Sequence, residues 1–330
     1  PQSSQPIRCM TSRNSTDCWF LSGPTAAGKT KIGLELAQQI GAEIVSLDSM
    51  TLYLGMDIGT AKPSAEDRTL IPHHLLDIVP PTDDFSLAEY LDAAHEKITE
   101  IKNCGKEVLF VGGTALYLKS LLRGVYQGPP PDWEFRQAIE KELEVVGLPA
   151  LHQRLQVIDP LLAAKLHPND KRRIIRALEV FRVTGEPLSH RQTHFDEGLP
   201  ARQCKVFVLS WPREELHQRI DARVDAMFAA GLVEEVHGLL ATYGSLSRTA
   251  GQAVGYREVM EYLAKGTNSP SSLGACIELV KARTRQFARR QETWFRGLSE
   301  CTLVPQFEGQ SPTEVSSSIV QLLEQRAINS

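Results

Sequence analysis

Apolar and polar positions alternate along the chain in a way that predicts strands and helices in turn. Cys18 to Ser22 is a short apolar run stopping at glycine, which predicts a strand. Ile32, Leu34, Leu36, Ala37 and Ile40 then recur at helical spacing, predicting a helix over Lys29–Ile40 that Gly41 closes. Glu43–Leu47 reads as a second strand with Asp48 at its carboxyl end. Lys106–Val111 reads as a third, running into Gly112-Gly113-Thr114, and Lys205–Trp211 as a fourth. Strands separated by helices predict an α/β protein whose parallel sheet carries helices on both faces. Ligands of such sheets gather at the carboxyl ends of the strands.

The stretch 124–199 has a different texture. It opens on Gly128-Pro129-Pro130-Pro131 and contains no convincing strand. Asp132 can cap a helix running through Glu144. Asp159-Pro160 places a cap before a first-turn proline, and Asn169 or Asp170 caps a further helix that Gly185 ends. An all-helical insertion domain over 124–199 is expected, with 19–123 and 200–330 forming the α/β core and its helical C-terminal part. Beyond Trp211 the pattern predicts one long basic helix from about Ser271 to Gly297. A loop around Val304-Pro305 and a last helix over Pro312–Glu324 follow. The polar stretch 1–18 lacks an apolar secretory core and reads as a disordered tail, a transit peptide being the alternative.

Composition narrows the class. The chain has 330 residues, 42% of them hydrophobic, enough for a packed core. No apolar run approaches the roughly 18 residues of a membrane helix, so no membrane association is expected. The six cysteines are scattered without a C-x-x-C pair, which argues against structural zinc or a disulfide framework and for a cytoplasmic protein. The formal net charge is −4, yet positive charge is concentrated. Six Lys or Arg face three acids between Asp170 and Arg191, and six face one between Lys281 and Arg296. Two basic helices in an otherwise acidic chain hint at a polyanionic partner, although solvated helix faces would look the same.

Gly23-Pro24-Thr25-Ala26-Ala27-Gly28-Lys29-Thr30 fits G-x-x-x-x-G-K-[ST] between a predicted strand and a predicted helix. Backbone N–H groups of such a loop and the following helix N-terminus face one anion. Lys29 adds charge, and the Thr30 hydroxyl can meet Mg2+. The expected fold is therefore a P-loop NTPase-like parallel sheet with a helical insertion. The N-K-x-D element of GTP binding is absent, and no later strand ends in an acid suited to ATP hydrolysis. These residues leave a choice between a small-molecule kinase using ATP and a transferase acting on another phosphorylated donor. A non-catalytic, nucleotide-gated RNA-binding protein is the third possibility.

Longer motifs narrow the choice. Asp48-Ser49-x-x-x-Tyr53 precedes Gly55-Met56-Asp57-Ile58-Gly59-Thr60-Ala61-Lys62-Pro63, His73-His74-Leu75-Leu76-Asp77 and Gly112-Gly113-Thr114-Ala115-Leu116-Tyr117. Then come Asn169-Asp170, Arg173, Arg176-Ala177-Leu178-Glu179 and Gly251-Gln252-Ala253-x-Gly255-Tyr256. Thr284-Arg285-x-x-Ala288-x-Arg290-Gln291-x-Thr293-Trp294 closes the series. From about Phe20 to Gly297 the chain resembles the tRNA dimethylallyltransferase (tRNA isopentenyltransferase) family. Ala27 departs from it, standing where members often have serine. No zinc-finger extension of the eukaryotic kind is present, so the resemblance is to the bacterial type.

The resemblance implies transfer of a prenyl group from dimethylallyl diphosphate to the exocyclic N6 of an adenosine. That adenosine lies just 3′ of the anticodon, at position 37, in tRNAs reading codons that begin with U. The loop Gly23–Thr30 would then hold a diphosphate, with Mg2+ at Thr30. By resemblance Asp48 is the base that takes the amine proton and Arg223 completes the diphosphate clamp; Thr114 would bond the leaving oxygen or the tRNA. Asp48, Ser49, Met50, Thr51 and Thr114 would meet the target nucleotide. Arg136, Arg172, Arg173 and Arg176 of the insertion and Thr284, Arg285, Arg289, Arg290 and Gln291 of the long helix would grip the anticodon arm. The tRNA is expected between insertion and core, with its target base extruded, on a monomeric enzyme. His73 and His74 have no third partner at ligand spacing and read as loop-shaping residues.

Overall fold

The computed structural model describes residues 15–126, 128–192, 197–264 and 270–328. Within it the chain divides into two compact units. The larger is built on a six-stranded sheet in the order β3-β2-β4-β1-β5-β6. Its strands are β1 (Trp19–Ser22), β2 (Ala42–Ser46), β3 (His73–His74), β4 (Glu107–Val111), β5 (Val206–Ser210) and β6 (Cys301–Pro305), and every pairing is parallel. The central strands are buried along almost their whole length, as expected where both faces are covered. On one face Trp19 and Leu21 join Phe207, Leu209 and the apolar stripe of α1 (Lys29–Ile40), together with Val315 and Ile319 of the C-terminal helix Pro312–Ile328. Phe20 and Phe110, turned the other way by the period of two, stack at 5.0 Å.

The sheet is wider than the apolar pattern predicts. Two-residue β3 is too short to show alternation. Val304-Pro305, expected as loop, instead completes β6, with Pro305 in register with Ser210. A proline is tolerated there because β6 is an edge strand, paired on one side only. The expected tail over 1–18 lies outside the described residues as far as residue 14. Ser15 and Cys18 are already packed, both fully buried, with the Cys18 N–H bonded to the Ser15 carbonyl at 3.1 Å.

The smaller unit spans Arg123–Glu197 in its described part. Among its described residues there are helices and no strand: Trp133–Ile158, Pro160–Lys165, Lys171–Thr184 and Leu188–Gln192. Asp132, Asp159 and Asp170 each accept a bond from a backbone N–H three residues on, at 2.9, 3.0 and 3.3 Å. Asp170 rather than Asn169 is thus the cap, and left-handed Gly185 closes the helix. The first helix runs beyond Glu144 to Ile158 with a break at Gly147 (φ 74°, ψ 165°), just before Pro149. Ile139, Leu151, Leu155, Ile174 and Leu178 form this unit's own core.

Candidate active site at the carboxyl ends of the strands

The glycine loop joins β1 to α1, and its backbone explains its residues. A Cβ on Gly23 would stand 2.9 Å from the Leu209 carbonyl oxygen, on a backbone at φ 147°. Gly28 is left-handed at φ 92°. Ala26 takes φ 63° despite its side chain, at a cost of roughly 1–2 kcal/mol. Two side chains hold that shape from outside. Arg219 Nε donates to the Ala26 carbonyl at 2.9 Å and Trp211 Nε1 to the Ala27 carbonyl at 3.1 Å, while the Arg219 guanidinium stacks 4.2 Å over the Trp211 ring. Ala27, the departure from the usual serine, is 1% exposed and packs in the sheet's hydrophobic cluster, where a hydroxyl would need a partner.

Lys29 turns back across the loop and donates to the Gly23 and Pro24 carbonyls at 3.0 and 2.7 Å. Burial, with repulsion from Arg223 and against attraction by Asp48, pulls its pKa down to about 7. Arg223 lies on the helix Arg213–Ala229; burial lowers its pKa too, and Asp48 opposes the shift.

Asp48 follows β2, and its Oδ1 accepts from the Met50 N–H at 2.8 Å. Thr51 is buried behind it, with its hydroxyl 2.7 Å from that of Ser46. Thr114 reaches the same turn: its Oγ1 accepts from the Ser49 N–H at 3.1 Å, and its own N–H donates to the Leu47 carbonyl. Close approach dictates the preceding Gly112, where a Cβ would fall 2.2 Å from the Leu47 oxygen.

These pieces meet around one cavity of about 340 Å³ in the larger unit. Thr25, Lys29 and Thr30 line it from the loop, Asp48 to Thr51 and Thr114 from the β2 and β4 ends, and Arg223, Thr284, Arg290 and Gln291 from the helices. Gly23, Pro24, Ala26, Ala27 and Gly28 contribute the loop backbone. Arg285 is turned to Asp221 as an ion pair, and Arg289 is exposed on the helix Pro270–Arg296. Gln291, expected at an RNA surface, is instead 6% exposed and bonded inward.

In the smaller unit the four arginines divide. Arg136 grips Glu179 with Nε and Nη2 at 2.7 and 2.9 Å, and Arg176 bonds both that carboxylate and the Pro129 carbonyl. Burial works to raise the Glu179 pKa, and the two guanidinium groups outweigh it and hold it below the usual value. Charge that reads in sequence as a polyanion contact here neutralises a carboxylate with no exposed surface. Arg172 and Arg173 are exposed at the start of Lys171–Thr184, Arg173 lying 3.4 Å from Asp170.

Sequence reasoning missed the residues that shape the wall at Gly59–Ala61. Glu235 accepts from the Asp57, Ile58 and Gly59 N–H groups at 3.1, 2.8 and 3.4 Å, and from the Tyr256 hydroxyl at 2.5 Å. A Cβ on Gly59 would stand 2.4 Å from the Tyr256 ring. Lys62, 2% exposed, ties Asp57, Asp77 and the Tyr53 carbonyl together. Gly59, Lys62, Asp77 and Tyr256 all lie in quoted motifs, which flags them without giving a role; Glu235 lies in none. His73 bonds the Ile71 carbonyl and His74 bonds Glu43, both at 2.7 Å.

A glycine loop at the centre of this parallel sheet makes the chain an α/β protein of the P-loop class, with an acid at the end of β2 facing the loop's cavity. The family described as IPP transferase matches residues 51–298, and the chain belongs to that family. It is 47% identical over 316 residues to a tRNA dimethylallyltransferase of Rhodopirellula baltica, covering 93% of each chain. It is 46% identical over 292 residues to one of Geobacter metallireducens, covering 88% of this chain and 93% of that one. Among solved structures, a full-length tRNA isopentenylpyrophosphate transferase of Bacillus halodurans superposes with a TM-score of 0.66 at 36% identity, over 94% and 98% of the chains. A eukaryotic dimethylallyltransferase acting on tRNA gives 0.69 at 28% identity, over 94% and 77%.

Proposed function

We propose that this chain is a tRNA dimethylallyltransferase that moves the dimethylallyl group of dimethylallyl diphosphate to N6 of adenosine 37, in tRNAs reading codons that begin with U. The observation carrying this is that the phosphate loop and Asp48 line one cavity. A phosphorylated donor held by the loop is thereby exposed to an acceptor beside a carboxylate. The N6 lone pair forms a bond to the allylic carbon as the C–O bond to diphosphate breaks, and the amine proton passes to Asp48. Charge growing on the leaving oxygens meets the loop N–H groups, Lys29 and Arg223. The Thr30 hydroxyl lines the cavity and has no partner among the described residues. With diphosphate oxygens it offers the hard donors Mg2+ takes, and the ion would add positive charge to the leaving group. Exposed Arg172, Arg173, Arg289 and Arg290 suit RNA phosphates, and Arg136 and Arg176 stiffen the smaller unit through Glu179. We place the enzyme in the cytoplasm as a monomer; no described helix is long and apolar enough to cross a membrane. The test is transfer of labelled prenyl from dimethylallyl diphosphate to unmodified tRNA with Mg2+ and without ATP. Label in the anticodon-loop adenosine supports the proposal; no label, with ATP hydrolysed instead, returns a kinase or ATPase.

Arg290 is exposed, lines the cavity and sits 5.8 Å over the Phe287 ring. Arg290→Ala should weaken tRNA binding and lower the slope of log affinity against log salt by about one, because one phosphate contact's counterion release is lost. Filter binding across a salt series gives the slope, and an unaltered slope removes Arg290 from the interface.

Lys29, with its pKa near 7, is largely neutral at pH 8 in the free protein. A bound diphosphate favours the charged form, so binding at pH 8 should take up close to one proton more in the wild type than in Lys29→Met. At pH 6 the difference should vanish. Calorimetry in buffers of different ionisation enthalpy measures this, and equal uptake by both proteins at pH 8 counts against it. For the free protein the sign is set by linkage. The folded state binds fewer protons than the unfolded one between pH 7 and 10.5, so this group's contribution to stability rises with pH across that window.

A further inference from the structure

We infer that Gln291 is a positioning residue that fastens the diphosphate loop to the acceptor loop and sets the distance between them. This rests on the prenyl-transfer reading. The side chain lies on the basic helix directly after Arg289 and Arg290, yet it is 6% exposed where they are exposed. A buried carboxamide must satisfy both of its ends. Here Oε1 accepts from the Thr25 N–H at 2.9 Å and Nε2 donates to the Gly113 carbonyl at 2.8 Å.

Each bond fixes one half of the reaction. The Thr25 N–H belongs to the phosphate loop, so its commitment to Gln291 sets the plane of the Pro24–Thr25 peptide and the aim of the neighbouring donors. The Gly113 carbonyl belongs to the peptide that leads into Thr114. The Thr114 hydroxyl holds the Ser49 N–H, next to Asp48. The two loops touch at this point: a Cβ on Gly113 would meet Gln291 Nε2 at 2.4 Å and the Gly23 carbonyl oxygen at 3.2 Å. One amide thus joins the element holding the leaving group to the element holding the base. A misplacement of about 1 Å between reacting groups can cost on the order of 100-fold in rate. Because the fastener projects from the helix bearing Arg289 and Arg290, RNA docked on those arginines bears on the same helical turn.

The test compares wild type with Gln291→Met, which keeps the volume and loses both bonds. Gln291→Glu keeps an acceptor for the Thr25 N–H and sets a carboxylate oxygen against the Gly113 carbonyl. Steady-state kinetics, the salt slope of tRNA binding, inorganic pyrophosphate binding by calorimetry and melting temperature are measured for each. A drop in kcat of roughly 30- to 100-fold is expected in both variants. KM for tRNA should stay within about twofold and the salt slope should be unchanged, as Gln291 carries no phosphate contact, while pyrophosphate binds several-fold more weakly. A raised KM for tRNA with kcat intact would make Gln291 an RNA contact and overturn the inference. So would a lowered melting temperature with kcat and pyrophosphate affinity unchanged, which is the mark of packing alone. A wild type that transfers no prenyl group refutes the prenyl-transfer reading; the pyrophosphate comparison still decides whether Gln291 sets the loop.

Discussion

Asp48→Asn is expected to bind tRNA and donor as the wild type does and to lose turnover by roughly 100- to 10,000-fold. The asparagine can keep the hydrogen bond that Oδ1 accepts from the Met50 N–H, so the turn from Asp48 to Thr51 should hold. Proton-accepting capacity is lost. The substitution also removes a negative charge that repels a diphosphate bound beside Lys29 and Arg223. Pyrophosphate affinity should therefore be equal or higher in the variant. That direction separates a base from an ion-holding carboxylate, whose loss would weaken diphosphate binding in the presence of Mg2+. Single-turnover prenyl transfer beside calorimetric pyrophosphate binding tests both halves. Unchanged turnover removes Asp48 from the chemistry, and a collapse of pyrophosphate affinity moves it to the metal.

How much of this was legible in the sequence depends on how local each requirement is. The loop Gly23–Thr30 could be read because its demands are on the backbone. Gly23 and Gly28 stand where positive φ or a neighbouring carbonyl admits nothing larger, and those demands fall within eight consecutive residues. Strands β1, β2, β4 and β5 could be read because burial on both faces leaves short, mostly apolar runs. β6 could not, since an edge strand ending in Pro305 carries the marks of a loop. Charge misled where burial was hidden. Arg136 and Arg176 count as positive charge in any window, but a buried Glu179 consumes both. Gln291 was legible as a site residue only by resemblance, and its direction was not legible at all. Its partners lie 266 and 178 residues away, and nothing in the helical pattern says which loops will be opposite. Glu235 was missed for the same reason: its three N–H partners are more than 170 residues distant.

Arg223 combines these themes, because its contribution depends on what the cavity does to an unmatched charge. It lines the cavity among protein atoms that lower its pKa, repels Lys29, and among the described residues is drawn by Asp48. Among the described residues it forms no hydrogen bond or ion pair. A guanidinium held this way is costly until an anion arrives, and the leaving diphosphate gains most as its charge grows. Arg223→Ala should lower kcat by roughly 100- to 1,000-fold and weaken pyrophosphate binding. Arg223→Lys should recover only part of the loss, because an ammonium cannot present two parallel donors to phosphate oxygens. The same alanine variant should melt at an equal or higher temperature than wild type in the absence of ligand. Removing the second positive charge relieves Lys29 and eliminates a partly desolvated ion. Kinetics and thermal melts on one preparation read both effects. A variant that keeps kcat would leave the diphosphate to the loop alone, and one that loses kcat together with a lowered melting temperature would show that Arg223 supports the fold.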